Sequence, residues 1–294
     1  MKPQSSEGAV DTQIELSTPV QGSSLKIGAG FQAVSLKHEQ FNGLMDPLVM
    51  LDHYIMTEPT FGAHPHAGMS AVSILFEDSE GVFNNRDSLG NDIDLLPGDA
   101  YWLKAGAGAI HDEKPTPGSR THGLQIFVNL PKACKQEAPA SLHVPATSMP
   151  VIQGQGYRVR VIFGDSNNIQ GATPPALAFT ALDTYLDSGG SYEHKVSGEQ
   201  SVLIYAVAGK VGITINEQRG TLPEGQAIAL QTGSGTDLLK LASSEGAHFV
   251  VLQGSPIRES FVQKGPFVMS DLAELNKVTA AYHSGLLGSI STED

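Results

Sequence analysis

Cysteine is nearly absent from this sequence of 294 residues, which contains only Cys134. A single cysteine cannot form an intramolecular disulfide bond, so a disulfide framework is excluded and a reducing compartment is expected. We expect the thiol to be unreactive, because only the nearby Lys132 and Lys135 would favour its deprotonation.

Basic residues and long apolar segments are also scarce. The 18 Lys and Arg residues against 31 Asp and Glu residues give a formal net charge of -13. A surface with this charge repels phosphate groups, which argues against direct binding to nucleic acid or to acidic lipids. No segment approaches the roughly 20 apolar residues that cross a bilayer, and the amino-terminal residues lack the apolar core of a signal peptide. We therefore expect a cytoplasmic protein without membrane segments.

Glycine and proline are plentiful, at 32 and 17 residues, and they separate many short apolar segments. This pattern is typical of β-strands and predicts an all-β fold. One arrangement occurs twice: an apolar segment is followed, after a polar stretch, by a Leu-Pro-x-Gly or similar turn and a second apolar segment. The first copy is Val72–Phe76 with Leu96–Leu103, and the second is Val202–Val207 with Leu222–Leu230. The chain length and this repeat predict two copies of one β-module.

The boundary between the modules is expected within residues 131–150, where four prolines lie among small and polar residues. We assign residues 1–140 to an amino-terminal barrel and residues 141–294 to a carboxyl-terminal barrel that ends in a short helix. Ser270 is the expected N-cap of this helix and Gly285 its end. Apolar residues recur between them at helical spacing, at Leu272, Leu275, Val278 and Tyr282.

Two pairs of polar side chains with equal spacing indicate a metal site in the first module. His64 and His66 are two residues apart, as are His111 and Glu113, so on strands each pair points to one face. If the two strands lie side by side in a barrel wall, the four side chains converge on one ion. A His-x-His pair alone is weak evidence, since most histidines are not metal ligands, and the matching second pair strengthens the prediction.

Three imidazoles and a carboxylate suit transition metals rather than calcium or magnesium. Iron, nickel or manganese with six ligands would leave positions for water or substrate, copper is also compatible, and a closed tetrahedral zinc site would be purely structural. Asp52 and His53 are weaker candidates, as hydrogen-bond partners of the ligating imidazoles or as purely structural residues.

Seven segments resemble the characteristic motifs of the pirin family. The resemblance covers nearly the whole chain and is densest from about residue 45 to 131. The segments are Met45–Tyr54, Gly62–Gly68, Arg86–Gly90, Pro97–Asp99, Gly106–Glu113, His122–Pro131 and Gly265–Met269.

The resemblance implies two cupin barrels, a bicupin, with metal only in the amino-terminal barrel. The pirin ligands correspond to His64, His66, His111 and Glu113, while His194 and His248 of the second module stand alone and are expected to be surface or core residues. Three residues depart from the common pirin pattern and put an inherited substrate preference in doubt: Ser70, where many pirins have Glu, and Ala67 and Met69, where Arg and Phe are common.

Three functions follow from the resemblance and the predicted site. The first is an oxidoreductase similar to flavonol (quercetin) 2,3-dioxygenases, with one iron(II) ion, or alternatively nickel, copper, manganese or zinc, and a small aromatic substrate. Glu113 would then be catalytic and accept a substrate proton. The second is a redox-sensitive regulatory module that contacts a partner protein, such as a transcription or metabolic factor. The third is a structural metal site without turnover.

Overall fold

Two antiparallel β-barrels follow one another along the chain in the computed structural model, which describes residues 14–290. Two very short strands precede the first barrel, β1 (Glu15–Leu16) and β2 (Val20–Gln21). The first barrel consists of β3 (Ser23–Ile27), β4 (Phe31–Lys37), β5 (Leu48–Met56), β6 (His64–His66), β7 (Met69–Leu75), β8 (Phe83–Asp87), β9 (Asp92–Leu95), β10 (Ala100–Lys104), β11 (Ala109–Pro115), β12 (Thr121–Asn129) and β13 (Ala140–Val144). A seven-stranded sheet in the order β13-β10-β7-β12-β5-β4-β3 faces a four-stranded sheet in the order β6-β11-β8-β9.

The second barrel has the same plan. Its strands are β14 (Val151–Gly154), β15 (Tyr157–Phe163), β16 (Asp165–Ser166), β17 (Ile169–Gln170), β18 (Phe179–Leu186), β19 (Ser191–Ser197), β20 (Ser201–Ile215), β21 (Gln218–Pro223), β22 (Gln226–Gln231), β23 (Thr236–Ala242) and β24 (Ala247–Gly254). The chain continues into β25 (Val262–Lys264), β26 (Phe267–Met269) and the helix α1 (Leu272–His283), and the described residues also include three short 3₁₀ helices at His38–Phe41, Lys132–Cys134 and Ala146–Ser148.

The strands that the sequence repeat predicted occupy equivalent places in the two barrels. In the first barrel β7 pairs with β10, and in the second β20 pairs with β22. The glycine of each turn, Gly98 or Gly225, has a positive φ, 87° and 75° respectively, which side chains other than glycine rarely adopt. The all-β bicupin fold with one short carboxyl-terminal helix is thus confirmed.

Each terminal segment packs on the barrel that is farther from it along the chain. Strands β1 and β2 pair with β22 of the second barrel. Helix α1 packs through Leu275 and Val278 against a cluster that includes Ala67 of the first barrel. Strand β13 pairs with β10, so the expected boundary at 140/141 falls inside a strand of the first barrel. The ranges 1–140 and 141–294 therefore do not describe the two packed units.

The helix begins one residue later than predicted. Asp271, not Ser270, is the N-cap, and its carboxylate accepts a hydrogen bond of 2.9 Å from the backbone N–H of Glu274. The Ser270 N–H instead donates to the Glu274 carboxylate at 3.1 Å. Both residue types are good caps, and the carboxylate also interacts favourably with the positive end of the helix dipole. Among residues 14–290, this helix of 12 residues falls short of the length and apolarity that a bilayer-spanning helix needs.

The two barrels share an apolar interface. One buried cluster includes Trp102 and Val72 of the first barrel together with Tyr205 and Leu203 of the second. A separate aliphatic cluster, with Ile204 on the alternate face of β20, fills the interior of the second barrel. Side chains alternate between these two cores because successive residues of a strand point to opposite faces.

A hydrogen-bonded chain crosses the same interface. His122 Nδ1 lies 2.7 Å from the Asp78 carboxylate, so it carries the proton and its Nε2 is an acceptor. His53 Nε2 then donates to His122 Nε2 at 2.7 Å, and the hydroxyl of Tyr205 donates to His53 Nδ1 at 2.8 Å. Each of these groups supplies the hydrogen-bond partner of the next and fixes its orientation. The hydrogen bonds therefore help to hold the two barrels in one relative position.

We expect acid to destabilise the protein through His53. Burial, followed by the nearby His122 and His248, lowers the pKa of His53 from 6.5 to about 3. Between these values the unfolded chain binds a proton that the folded chain does not, so the free energy of unfolding falls as pH falls below 6.5. The slope from this group is at most about 1.4 kcal/mol per pH unit. Urea unfolding between pH 4 and 7 should show a shallower slope for His53→Gln than for wild type.

His283→Gln, at an exposed position of α1, is the control and should keep the wild-type slope. A His53→Gln slope equal to that of wild type would contradict the assignment.

Candidate metal centre

Three imidazoles meet at one point of the first barrel because β6 and β11 are adjacent. The strands pair antiparallel, with His111 opposite His64 and Ala109 opposite His66. His111 Nε2 lies 3.0 Å from His64 Nε2 and 2.9 Å from His66 Nε2. One nitrogen from each ring lies within 4.8 Å of the others, a grouping that can hold a metal ion. The equal spacing seen in the sequence thus becomes a common face of two paired strands.

The surroundings of these rings favour neutral imidazoles whose Nε2 atoms can act as ligands. His64 Nδ1 lies 2.8 Å from the Gly62 carbonyl oxygen and donates to it, which leaves the Nε2 lone pair facing the other two rings. Burial lowers the pKa of all three histidines, to about 4 for His64 and His111 and well below 6.5 for His66. A neutral imidazole is the form that binds a metal.

Glu113 lies beside this cluster, and its carboxylate is turned toward β7 of the facing sheet. One carboxylate oxygen accepts a hydrogen bond of 2.6 Å from the Ser73 hydroxyl, and the other lies 3.8 Å from His111 Nδ1. Burial raises the pKa of Glu113 to about 7, against the lowering effect of Ser73. The Ser73 contact joins β11 to β7 of the facing sheet, and no pattern near Glu113 predicts it.

A cavity of about 360 Å³ opens next to the histidines. Its wall is mainly apolar and rich in aromatic rings, and it is large enough for a small organic molecule. Phe61 stands at its exposed side, edge to face with Phe31 at a centroid distance of 4.9 Å. The lining residues are Phe31, Met50, Asp52, Tyr54, Met56, Phe61, His64, His66, Phe83, His111, Glu113, Gln125, Phe127, Gly265 and Pro266.

The carboxyl-terminal segment holds the histidine loop in place. The Ala67 N–H donates to the Pro266 carbonyl, and the Val268 N–H donates to the Ala67 carbonyl. Buried Lys135 donates to the carbonyl oxygens of Gly68 and Val268, both at 2.8 Å. A side chain at Gly68, where φ is +71°, would overlap the Val268 carbonyl. These contacts of Lys135 were not predicted, since the neighbouring residues in the sequence do not distinguish it from a surface lysine.

Asp52 and His53 have different environments although they are neighbours in β5. Asp52 lines the cavity and is buried, and burial raises its carboxyl pKa. His53 points to the barrel interface, where Tyr205 and His122 bind it. Neither contacts a ring nitrogen of the three clustered histidines, so the role of hydrogen-bond partner to a ligating imidazole does not fit the structure.

The three residues that depart from the common pirin pattern lie outside the cavity lining. Ala67 packs with Phe267 and the helix, Met69 packs with Val268, and Ser70 is fully buried on the side of β7 that also carries Val72. The effect of these three departures on the cavity is therefore smaller than the sequence suggested, because none of the three residues lines it.

In the second barrel, the counterpart of β11 carries aliphatic side chains where β11 carries His111 and Glu113. Strand β23, which pairs with β19 as β11 pairs with β6, carries buried Leu239 and Leu241. His194 is buried between Ser166, at 2.7 Å, and Gln253, at 2.9 Å. His248 is bound by the Asp183 carboxylate at 2.6 Å. Both histidines have the structural surroundings that the sequence analysis expected of them.

Two cupin-type barrels, of which the first carries three convergent imidazoles beside a cavity, define a bicupin with a candidate metal centre. Family models agree with this class: the Pirin model matches residues 28–128, and the model of the Pirin C-terminal cupin domain matches residues 181–288. The chain belongs to the pirin family.

Known proteins of this class are similar over most of their length. Pirin of Mus musculus is 29% identical over 245 residues, 83% of each chain. A crystal structure of quercetin 2,3-dioxygenase from Acinetobacter baumannii is 26% identical, with a TM-score of 0.82 over 95% of this chain and 99% of that chain. The bacterial pirin of Escherichia coli in complex with nickel(II) has a TM-score of 0.62 over 83% and 100% of the two chains. At 17% identity, that likeness shows the fold alone.

Proposed function

We propose that this protein is a metal-dependent oxygenase of the flavonol 2,3-dioxygenase type. The cavity carries the proposal: a space of about 360 Å³, mostly apolar and aromatic, adjoins the three imidazoles. A purely structural ion needs no such space, and neither does a redox switch that acts through a surface. The similarity to a quercetin 2,3-dioxygenase over nearly the whole chain supports the same reaction class.

The proposed ligands are His64, His66, His111 and Glu113. The three Nε2 atoms fit a divalent transition metal, because neutral nitrogen donors face one another at 2.9 and 3.0 Å within a buried site. The Glu113 carboxylate would complete the set through its second oxygen, while the first keeps its bond to Ser73. Iron(II) is the proposed ion, with nickel as the leading alternative because a pirin of the same fold binds it. The metal would supply Lewis-acid and oxygen-activating chemistry.

The protein residues would position the substrate and manage its proton. The aromatic wall, including Phe31 and Phe127, would hold a planar ring system and exclude water. Glu113, whose pKa burial raises to about 7, is suited to accept the proton of a substrate hydroxyl near neutral pH. Ser73 would hold the carboxylate during that transfer through its bond of 2.6 Å.

Oxygen uptake with quercetin tests this proposal. Protein loaded separately with iron(II) and nickel(II) should consume oxygen, and Glu113→Gln should lower kcat by at least about 100-fold. Metal content measured for each variant separates loss of a ligand from loss of a base. Glu193→Gln, an exposed carboxylate on the second barrel, is the control and should match wild type. Absence of turnover by every metal form, with Glu113→Gln equally inert, would reject the proposal.

A further inference from the structure

Three polar side chains form a row across the inner wall of the first barrel. Gln125 on β12 is the cross-strand neighbour of both Asp52 on β5 and Ser73 on β7. Directly paired residues of neighbouring strands share one face of a sheet, and the Ser73 hydroxyl oxygen lies 3.0 Å from the side-chain amide of Gln125. Because Ser73 donates its one proton to Glu113, it accepts a hydrogen bond from this amide. We call Ser73, Gln125 and Asp52 the polar row. Its first member, Ser73, binds Glu113, and the row runs from there away from the histidines.

The far end of the polar row holds buried atoms that lack hydrogen-bond partners among residues 14–290. They are one carboxylate oxygen of Asp52, one atom of the Gln125 amide and the hydroxyl of the nearby Tyr54. Asp52 is 8% exposed and Tyr54 is 2% exposed. A buried polar group without a partner loses the hydrogen bonds that it makes to water in the unfolded chain, and native proteins tolerate few such groups. Because all three residues line the cavity, a ligand in the cavity can supply the missing partners.

The geometry sets the length and character of that ligand. Asp52 lies two strands from Ser73, which corresponds to about 10 Å at the usual strand spacing. Apolar residues flank the polar row within the cavity, with Met50 and Phe127 on one side. A molecule that reaches from the histidines to Asp52 therefore needs an apolar body of two or more rings and a polar group at its remote end.

The pairing of an acceptor with a donor identifies the polar group. A carboxylate oxygen of Asp52 accepts hydrogen bonds, whereas the hydroxyl of Tyr54 can donate one. A hydroxyl satisfies both, since its O–H donates and its oxygen accepts. An ammonium group would bind Asp52 and leave the proton of the Tyr54 hydroxyl without an acceptor.

We infer that Asp52 and Tyr54 are specificity-determining residues that recognise a phenolic hydroxyl at the end of the substrate remote from the histidines. This inference rests on the proposed function, because it assumes that the other end of an aromatic substrate binds at the metal centre. It assigns Asp52 to substrate binding, a role that its place in the pirin-like motif did not indicate.

Calorimetric titration of nickel-loaded protein without oxygen tests the inference. The probes are quercetin and galangin, two flavonols that differ only in the hydroxyls of the remote ring. Wild type should bind quercetin about 10 to 100 times more tightly than galangin, as expected for a hydrogen bond to a charged group. In Asp52→Asn, Asp52→Ala and Tyr54→Phe this ratio should fall below about 3. Met50→Leu, which alters an apolar residue of the same strand and cavity, should keep the wild-type ratio.

Thermal unfolding distinguishes recognition from a structural role. Because one Asp52 oxygen lacks a partner in residues 14–290, Asp52→Asn should leave the Tm unchanged or raise it. A structural role would lower it. Equal flavonol ratios in wild type and the Asp52 variants, or no binding of either flavonol to wild type, would overturn the inference. A wild type that prefers quercetin but consumes no oxygen would contradict only the proposed reaction.

Discussion

Replacing His111 with alanine is expected to weaken metal binding by at least about 100-fold, since even changes to residues behind the ligands commonly cost 10- to 100-fold. His111 is the middle of the three imidazoles, with its Nε2 within 3.0 Å of both His64 and His66. Its loss would leave two imidazoles and a carboxylate that already has a partner in Ser73. Titration of metal-free protein with nickel(II), with stoichiometry from metal analysis, measures the effect.

His194→Ala is the matched control for this variant. It also truncates a buried histidine, but in the second barrel, where the ring is bound by Ser166 and Gln253. We expect it to bind nickel(II) as wild type does, even if it is less stable. Far-ultraviolet circular dichroism should show that both variants are folded. Retention of wild-type affinity by His111→Ala would contradict the proposed ligand set.

Replacing Arg160 with methionine is expected to lower the free energy of unfolding by about 3–5 kcal/mol, the usual result of removing one partner of a buried ion pair. The guanidinium donates two hydrogen bonds, of 2.9 and 2.8 Å, to one oxygen of Asp183, which is fully buried. It also donates to the carbonyl oxygen of Gly98 in the first barrel at 2.7 Å. Its loss would therefore leave the buried Asp183 carboxylate with His248 as a remaining partner and remove a bond between the barrels.

Arg158→Met provides the comparison, because Arg158 lies two residues away on the same strand. Its partly exposed pair with Glu77 should contribute less than about 1 kcal/mol. Urea unfolding, followed by tryptophan fluorescence from buried Trp102 at the barrel interface, measures both variants. Similar losses in the two variants would show that burial does not set the strength of these ion pairs.

The fold could be predicted closely because its signals are local. Alternating apolar segments define strands, and the turns at Gly98 and Gly225 require a backbone conformation that favours glycine. The duplicated pattern then identified two similar barrels. The placement of the ends could not be predicted in this way. Which barrel covers β1 or α1 depends on complementary apolar surfaces, such as the contact of Leu275 with the cluster around Ala67.

The candidate site could be predicted in part. The pairs His64 with His66 and His111 with Glu113 each point to one face, as the strand period requires, and the pairing of β6 with β11 brings the imidazoles together. The orientation of the Glu113 carboxylate depends on Ser73, which lies 40 positions away in the sequence. Asp52 and His53 lie on opposite faces of β5. Their environments differ because one face lines the cavity and the other packs against the second barrel.

The sequence by itself determined the strand and turn pattern, the acidic charge and the side chains that share a strand face, because these properties arise within a few neighbouring residues. Only the tertiary structure decided that the carboxyl-terminal segment closes the histidine loop, that Asp52 enters the cavity while His53 joins the barrels, and that polar groups from three strands form one row. These features arise from packing between distant segments, and a contact between distant segments leaves no periodic pattern in the chain.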